Sequence, residues 1–448
     1  MRVAIIGAGI SGLALAYYLQ KLGVPYDLFE AGAQVGGNIR TVKMHEYLLE
    51  LGPNALQNTP ELEELVRELK LEREVVHASP ENDHRYVLRD GIYKRLPSSP
   101  FALMSGNFFS WKTKYRILKE KDVPPADIDY ETVEQFFERR FGHDAARYTV
   151  SPFMTSLYAG DPKQLLVKKA LPRLKELEMR YGSVLKGLAQ QRGGFAKHRS
   201  FSFAKGMRTL PYAIADKLIS LHTEHRVEMI TRSQGKYVVS CASSGDYDTE
   251  EYDLLVLALP AQQAAELLHY TFPGLSAALQ NINYPPMAVV HSVYNRKEVT
   301  GQLNGFGALH PQAEAAFACG SVWSSSLFDG RCRPHEVLFT TFVGGGQAPK
   351  KALKEREQLM RRVHEELAAL HLISADKPNF QHVHLWKHSL PQYDIYIEDA
   401  HQLAKGLEPE GLFIAANWQA GVSVANCVHH AKELAHKINL KRPGHLNR

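Results

Sequence analysis

Cysteine is scarce in this chain. Four cysteines stand at Cys241, Cys319, Cys332 and Cys427 of 448 residues, and no two lie at C-x-x-C spacing. That excludes a disulfide framework and a cysteine-based zinc site, and it fits a reducing cytoplasm. Long hydrophobic runs are also missing, none approaching the roughly 20 apolar residues that cross a bilayer. The first apolar strand starts at Arg2, so neither a signal nor a transit peptide is expected, and a cytoplasmic location is. Charge of one sign is not concentrated: 53 Lys and Arg face 48 Asp and Glu, and the formal net charge of +5 forms no basic stripe of the kind that binds nucleic acid. There is no internal repeat of fixed period, which sets aside solenoids and propellers. The histidines show no metal or triad spacing; His291 and His310 read as core or surface residues, and no metal is expected.

What remains is an ordinary globular composition, 44% hydrophobic and 23% charged. The length predicts two or three domains. Residues 2–6 (RVAII) read as a buried strand, a helical stretch runs to Leu22, and a second strand covers 26–30, which together make a β-α-β unit. The intervening GAGISG places Gly7, Gly9 and Gly12 around Ile10 and Ser11. Gly7 allows the tight turn, Gly9 lets backbone N–H groups approach a pyrophosphate at the positive helix end, and Gly12 allows close helix packing. Glu30, with Ala31 beside it, ends the second strand where a carboxylate accepts both ribose hydroxyls and repels a 2′-phosphate. The ligand is therefore FAD or NAD and not NADP. The competing reading of the glycines is a turn that merely needs small residues.

A second glycine pair, Gly36 and Gly37 in GGNIRT, brings Arg40 within reach of the pyrophosphate from the other side; as a surface arginine it would look the same. This glutamate-then-GG pattern resembles flavin amine oxidases, carotenoid desaturases and protoporphyrinogen oxidases. The C-terminal stretch GLFIAANWQAGVSVANCVHH matches the strand, turn and helix that such proteins aim at the flavin pyrimidine ring, with Trp418 in the turn and Gly421, Val422 and Ser423 opening the helix. Together these motifs identify the cofactor as FAD. ELGPNALQ (50–57), YGSVLKGL (181–188), SFAKGMRTLPYAI (202–214) and SSSLFDGR (324–331) are similar to segments of the protoporphyrinogen oxidase family. Ala416 and Ala425 depart from the family's frequent glycines near the flavin, and Cys332-Arg333 from its Ala-Pro.

The resemblance implies an α/β fold: a Rossmann-like FAD-binding domain of the glutathione-reductase or amine-oxidase type (1–76, 200–266, 400–448), an α+β substrate domain (77–100, 170–199, 267–399) and a helical insertion (101–169). It adds Gly52, Pro53, Asn54 and Val227 to the cofactor contacts. It implies that Arg85 pairs with a substrate propionate, where the alternative is a structural salt bridge, and that Phe306, Leu309 and Phe342 sandwich a tetrapyrrole, although core residues would look the same. No catalytic side chain is expected beyond the flavin itself, and molecular oxygen is the implied oxidant, yielding hydrogen peroxide. Coproporphyrinogen III oxidation, amine oxidation or polyene desaturation, and a non-enzymatic role like that of GDI and Rab escort proteins are the competing functions. Lys112, Lys114, Arg116, Lys119 and Lys121, interleaved with Phe108, Phe109, Trp111 and Tyr115, suit a peripheral contact with the inner face of a membrane, or equally a helix lying on the protein's own core. A homodimer is an open option.

Overall fold

The computed structural model describes residues 1–79, 84–97, 99–190, 200–243, 246–301 and 303–442. Asp83 of the DHRYVLRDG segment and residues 191–199 of the expected substrate domain lie outside the described residues. Five parallel strands form the first sheet, in the order Leu221–His222, Tyr26–Phe29, Val3–Ile6, Leu254–Leu257 and Leu412–Ile414. They read as unbroken apolar runs because both faces are covered. Val3 and Ile5 pack with the helices Ile10–Lys21 and Val424–Leu440, while Ala4 and Ile6 turn to a core shared with Tyr237 and Val239 of the antiparallel sheet 226–252. Three separated stretches of chain thus build one nucleotide-binding unit.

The second large sheet has seven strands, ordered Phe380–Trp386, Met287–Asn295, Glu336–Gly344, Gly320–Val322, Gly307–Leu309, Arg85–Arg89 and Ile92–Arg95. All its pairs are antiparallel except that between Gly307–Leu309 and Arg85–Arg89. The helix Arg356–His371 covers one face, packing Leu359, Val363 and Leu367 against Val290, Phe339 and Trp323. The opposite face looks toward the nucleotide unit and the helical layer.

The helical layer extends beyond the range 101–169 assigned to the insertion. The helices Pro172–Tyr181 and Val184–Gln190 fall in the range assigned to the substrate domain, yet buried charge ties them to the insertion. Arg140, fully buried, donates to Glu120 and, at 2.8 Å, to Glu178; Arg139 reaches Glu178 at 2.7 Å and Glu131 at 2.8 Å; Lys175 reaches Glu131 and Glu178 at 2.8 Å each. Ser183 donates to Glu120 as well. Three acids and three bases neutralise one another in a site that apolar periodicity cannot reveal. Removing one member strands the others. Arg140→Met is therefore expected to lower the unfolding free energy by about 3–5 kcal/mol, measured by chemical denaturation; a loss under about 1 kcal/mol, the value of an exposed pair, would contradict a buried network.

Candidate functional site

The glycine turn forms as its spacing predicts. Gly7 has φ +106°, its N–H donates to Phe29 O at 2.8 Å, and a Cβ there would sit 2.7 Å from Ala258 O. Gly12 packs so tightly that a Cβ would overlap Gly7 O. Gly9 differs: it caps the helix Ile10–Lys21, and a Cβ there would meet no protein atom within 4 Å. Gly36 donates to Ala8 O at 2.8 Å and bridges to Gly9, so the two glycine turns stand side by side. Glu30 accepts from Ala8 N at 3.0 Å and Gly32 N at 2.8 Å, one bond per carboxylate oxygen, which leaves lone pairs on both for a ribose diol. Ala31 is exposed beside it, and Ser11 is buried within the helix. His225 N donates to Glu30 O at 2.9 Å, and two residues on lies Val227, 8% exposed. Open space over Gly9 at a helix N-terminus, next to a half-engaged carboxylate, fits the pyrophosphate and ribose of FAD.

At the C-terminal helix Ser423 accepts from Asn426 N at 3.0 Å, and Gly421 has φ +104°. Val422 and Ser423 are half-buried at this helix N-terminus. Trp418 is an interior support of the turn: its ring is fully buried and its Nε1 donates to Leu259 O at 3.1 Å. Ala416 costs nothing, because its φ of −130° is extended backbone that any residue adopts, and Ala425 lies inside the helix. Cys427 beneath the turn has its thiol pushed up to about 11 by burial, so it is no nucleophile.

Four of the segments singled out in the sequence meet at one buried carboxylate. Glu50, 4% exposed, accepts from Thr41 Oγ1 at 2.7 Å and Met207 N at 2.9 Å, and Arg331 approaches it at 3.8 Å. Arg331 also donates to Ser202 Oγ at 2.7 Å and Phe203 O at 3.2 Å. GGNIRT, ELGPNALQ, SFAKGMRTLPYAI and SSSLFDGR thus each contribute a member. Burial raises the Glu50 carboxyl against the pull of Thr41 and Arg331, and burial lowers Arg331. Above this knot, His291 Nε2 donates to Glu50 O at 3.0 Å and Trp386 Nε1 to Leu51 O at 2.7 Å. The next residue is Gly52, pressed against Asn38 O, followed by half-buried Pro53 and by Asn54, which donates to Gly52 O at 3.4 Å. Sequence reasoning missed His291 and Trp386, since no local pattern marks a side chain that supports a loop 241 or 335 residues away.

Sheet register places the expected substrate residues. Arg85 pairs with Gly307, Gly307 with Val322, Val322 with Thr340, Thr340 with His291, and His291 with His382. The neighbouring row runs Leu309, Gly320, Phe342, Val289, His384. Both rows face the same side because side chains alternate with period two. Phe306 joins Arg85, whose Cζ lies 4.9 Å from its ring centroid, and Arg85, Phe306, Leu309 and Phe342 are all half-buried. His310 lies on the opposite face, buried between Tyr93 OH at 3.1 Å and Glu366 at 3.4 Å. Arg40, exposed, donates to Gly37 O at 3.1 Å and stacks over Trp386.

The glycine geometry separates cofactor from fold. Gly9→Val is expected to keep stability within about 0.5 kcal/mol while abolishing bound FAD, read from visible absorbance after purification. Gly12→Ala should instead fail to fold, because the helix cannot shift off Gly7.

The family model described as flavin containing amine oxidoreductase matches residues 10–439. The chloroplastic protoporphyrinogen oxidase of Nicotiana tabacum is 31% identical over 97% of this chain and 84% of its own length. The human protoporphyrinogen oxidase is 28% identical over 97% of each chain. A solved chain from Exiguobacterium sp. 255-15, provisionally assigned as a protoporphyrinogen oxidase, superposes with a TM-score of 0.80 at 19% identity, over 98% of this chain and 99% of that one, which bears on the fold. A nucleotide unit with a cradle for FAD, joined to the second large sheet through the Glu50–Leu51 loop, agrees with these matches. The chain belongs to the flavin containing amine oxidoreductase family, and within it to the protoporphyrinogen oxidases.

Proposed function

We propose that this flavoenzyme oxidises protoporphyrinogen IX to protoporphyrin IX in haem biosynthesis, with dioxygen reduced to hydrogen peroxide. One observation carries the substrate reading: a continuous sheet face with a guanidinium, Arg85, at one end and the Glu50–Leu51 loop at the other. Four strand spacings separate Arg85 from His291, about 19 Å at ~4.8 Å each. That is room for a flat macrocycle beside an isoalloxazine. Val87, Leu309, Val322 and Phe342 make the stretch between them apolar.

When bound, FAD supplies the two-electron acceptor. The chain's own residues position and insulate. Arg85 suits a carboxylate at the macrocycle's edge through a bidentate pair, and the apolar wall with the helical layer keeps water from the bridging carbons. The N-terminus of the helix Val424–Leu440 favours negative charge at the pyrimidine end. Arg89, on the same strand face, is committed to Asp144 at 3.0 and 3.3 Å and to the Tyr148 ring 4.1 Å from its Cζ. The likeness to the tobacco and human protoporphyrinogen oxidases favours protoporphyrinogen IX over coproporphyrinogen III with its four propionates.

A peripheral membrane contact is the second part of the proposal, for a protein working at the cytoplasmic face. The basic-aromatic stretch divides in two. Phe108, Phe109 and Lys114 are buried, Lys114 donating to Met104 O and Gly106 O, and Arg116 holds Arg139 O. Phe101, Trp111, Tyr115 and Leu118 are 80%, 74%, 63% and 51% exposed, with Lys112, Lys119 and Lys121 exposed around them. Exposed aromatics rimmed by lysines suit an anionic lipid surface. Among the described residues no helix is long and apolar enough to cross a membrane.

Offering protoporphyrinogen IX and coproporphyrinogen III side by side, with porphyrin fluorescence and peroxide as readouts, should give faster turnover on the former. Equal or reversed rates would move the assignment. Arg85→Ala should raise KM about ten- to hundredfold, the equivalent of one charge-assisted hydrogen bond, with little change in kcat. For the surface, Trp111→Ser with Tyr115→Ser should abolish cosedimentation with vesicles containing phosphatidylserine and leave solution activity unchanged; retained binding would dismiss the patch.

A further inference from the structure

Trp386 ends the edge strand Phe380–Trp386 of the substrate sheet and is half-buried. Its indole has two polar engagements. Nε1 donates to Leu51 O at 2.7 Å, and the Arg40 guanidinium lies over the ring with Cζ 5.5 Å from the centroid. His384 meets the ring edge-on at 4.5 Å and 75°. Leu51 N donates to Arg40 O at 2.9 Å, so the two segments that Trp386 touches are also joined by backbone. Both lie at their packing limit, since a Cβ on Gly52 would overlap Asn38 O.

We propose that Trp386 is a positioning residue for the cofactor, holding by one side chain the Leu51–Gly52 peptide and the Arg40 guanidinium. The proposal rests on the FAD reading and goes beyond it, because Trp386 belongs to the substrate sheet and to none of the nucleotide-binding motifs. An indole N–H is a donor only, so its bond fixes the direction of the Leu51 carbonyl and with it the plane of the peptide entering Gly52. The ring face attracts the guanidinium. Arg40 is exposed on a long side chain with many rotamers, and stacking removes most of them before a phosphate arrives. Movement of the strand Phe380–Trp386 would be felt by both segments at once.

Two substitutions separate the roles. Trp386→Phe keeps an aromatic face for Arg40 and deletes the N–H. It should hold the FAD dissociation constant within about twofold and change the visible circular dichroism of the bound flavin, which reports the asymmetry of its surroundings. Trp386→Leu deletes both and should weaken FAD about tenfold, the scale of one partly desolvated cation–π contact. In an Arg40→Met background that tenfold effect should vanish, because the partner is already gone. Additive losses in the double variant would overturn the proposal. So would variants that melt early as apoproteins but bind FAD with unchanged affinity and dichroism, since that is the behaviour of simple packing. A wild-type protein that takes up no FAD at all would instead refute the cofactor reading itself, an outcome separate from these.

Discussion

The carboxylate of Glu50 is a charge in a place that does not welcome one. It is 4% exposed, burial raises its carboxyl, and its basic neighbour Arg331, itself lowered by burial, stays 3.8 Å away. Desolvating both groups outweighs what their attraction returns at that separation. The arrangement persists because every other bond of the two groups is to a different segment: Thr41 and Met207 for Glu50, Ser202 and Phe203 for Arg331. One buried polar knot fixes four segments of chain in a single register. An apolar cluster of the same volume would bury as well but would allow them to slide.

That register has a consequence for the substrate sheet. Its strands Met287–Asn295 and Phe380–Trp386 reach the knot from above, through His291 on Glu50 O and Trp386 on Leu51 O. Because alternate side chains of a strand share a face, locking His291 under the loop determines which residues of the five neighbouring strands look the same way. Arg85 is four strands off and still obeys. A slip of one residue between Met287–Asn295 and Glu336–Gly344 would carry Leu309 and Phe342 to the face covered by the helix Arg356–His371.

What was legible in the sequence was whatever is local. The spacing of Gly7, Gly9 and Gly12 between a buried strand and a helix, with Glu30 ending the next strand, follows from backbone sterics within one β-α-β unit, and the structure builds it within a residue or two of the expected bounds. The strands around residues 290, 340 and 383 declare themselves by β-branched and aromatic content. That the helices 172–190 belong with the helical layer did not, because their attachment is through Glu178 and Ser183 to charges 38 to 63 residues away. Charge pairing has no period. The same reason hid the division of the basic-aromatic stretch: Lys112 and Lys114 are two residues apart, yet only the second finds carbonyls to bury against. Ala416, which departs from the family's frequent glycine, has extended backbone and needs no glycine.

Neutrality of the middle of the sheet face gives this site its chemical character. Burial drives His291 down to about 3, and burial also lowers His382 and His384, so at neutral pH the three imidazoles that follow Phe342 and Thr340 along the face carry no charge. Fixed positive charge is then found at the two extremes, Arg85 on one side and Arg40 stacked on Trp386 on the other. Between them the surface is apolar or uncharged. On the proposed reading an electron-rich macrocycle and the flavin share this stretch, where the low polarity strengthens whatever charges the ends present. A protonated histidine beside the macrocycle would resist the growth of positive charge as hydride leaves. On that reading the uncharged imidazoles suit the proposed chemistry, and His291, the fully buried one, also holds the Glu50–Leu51 loop.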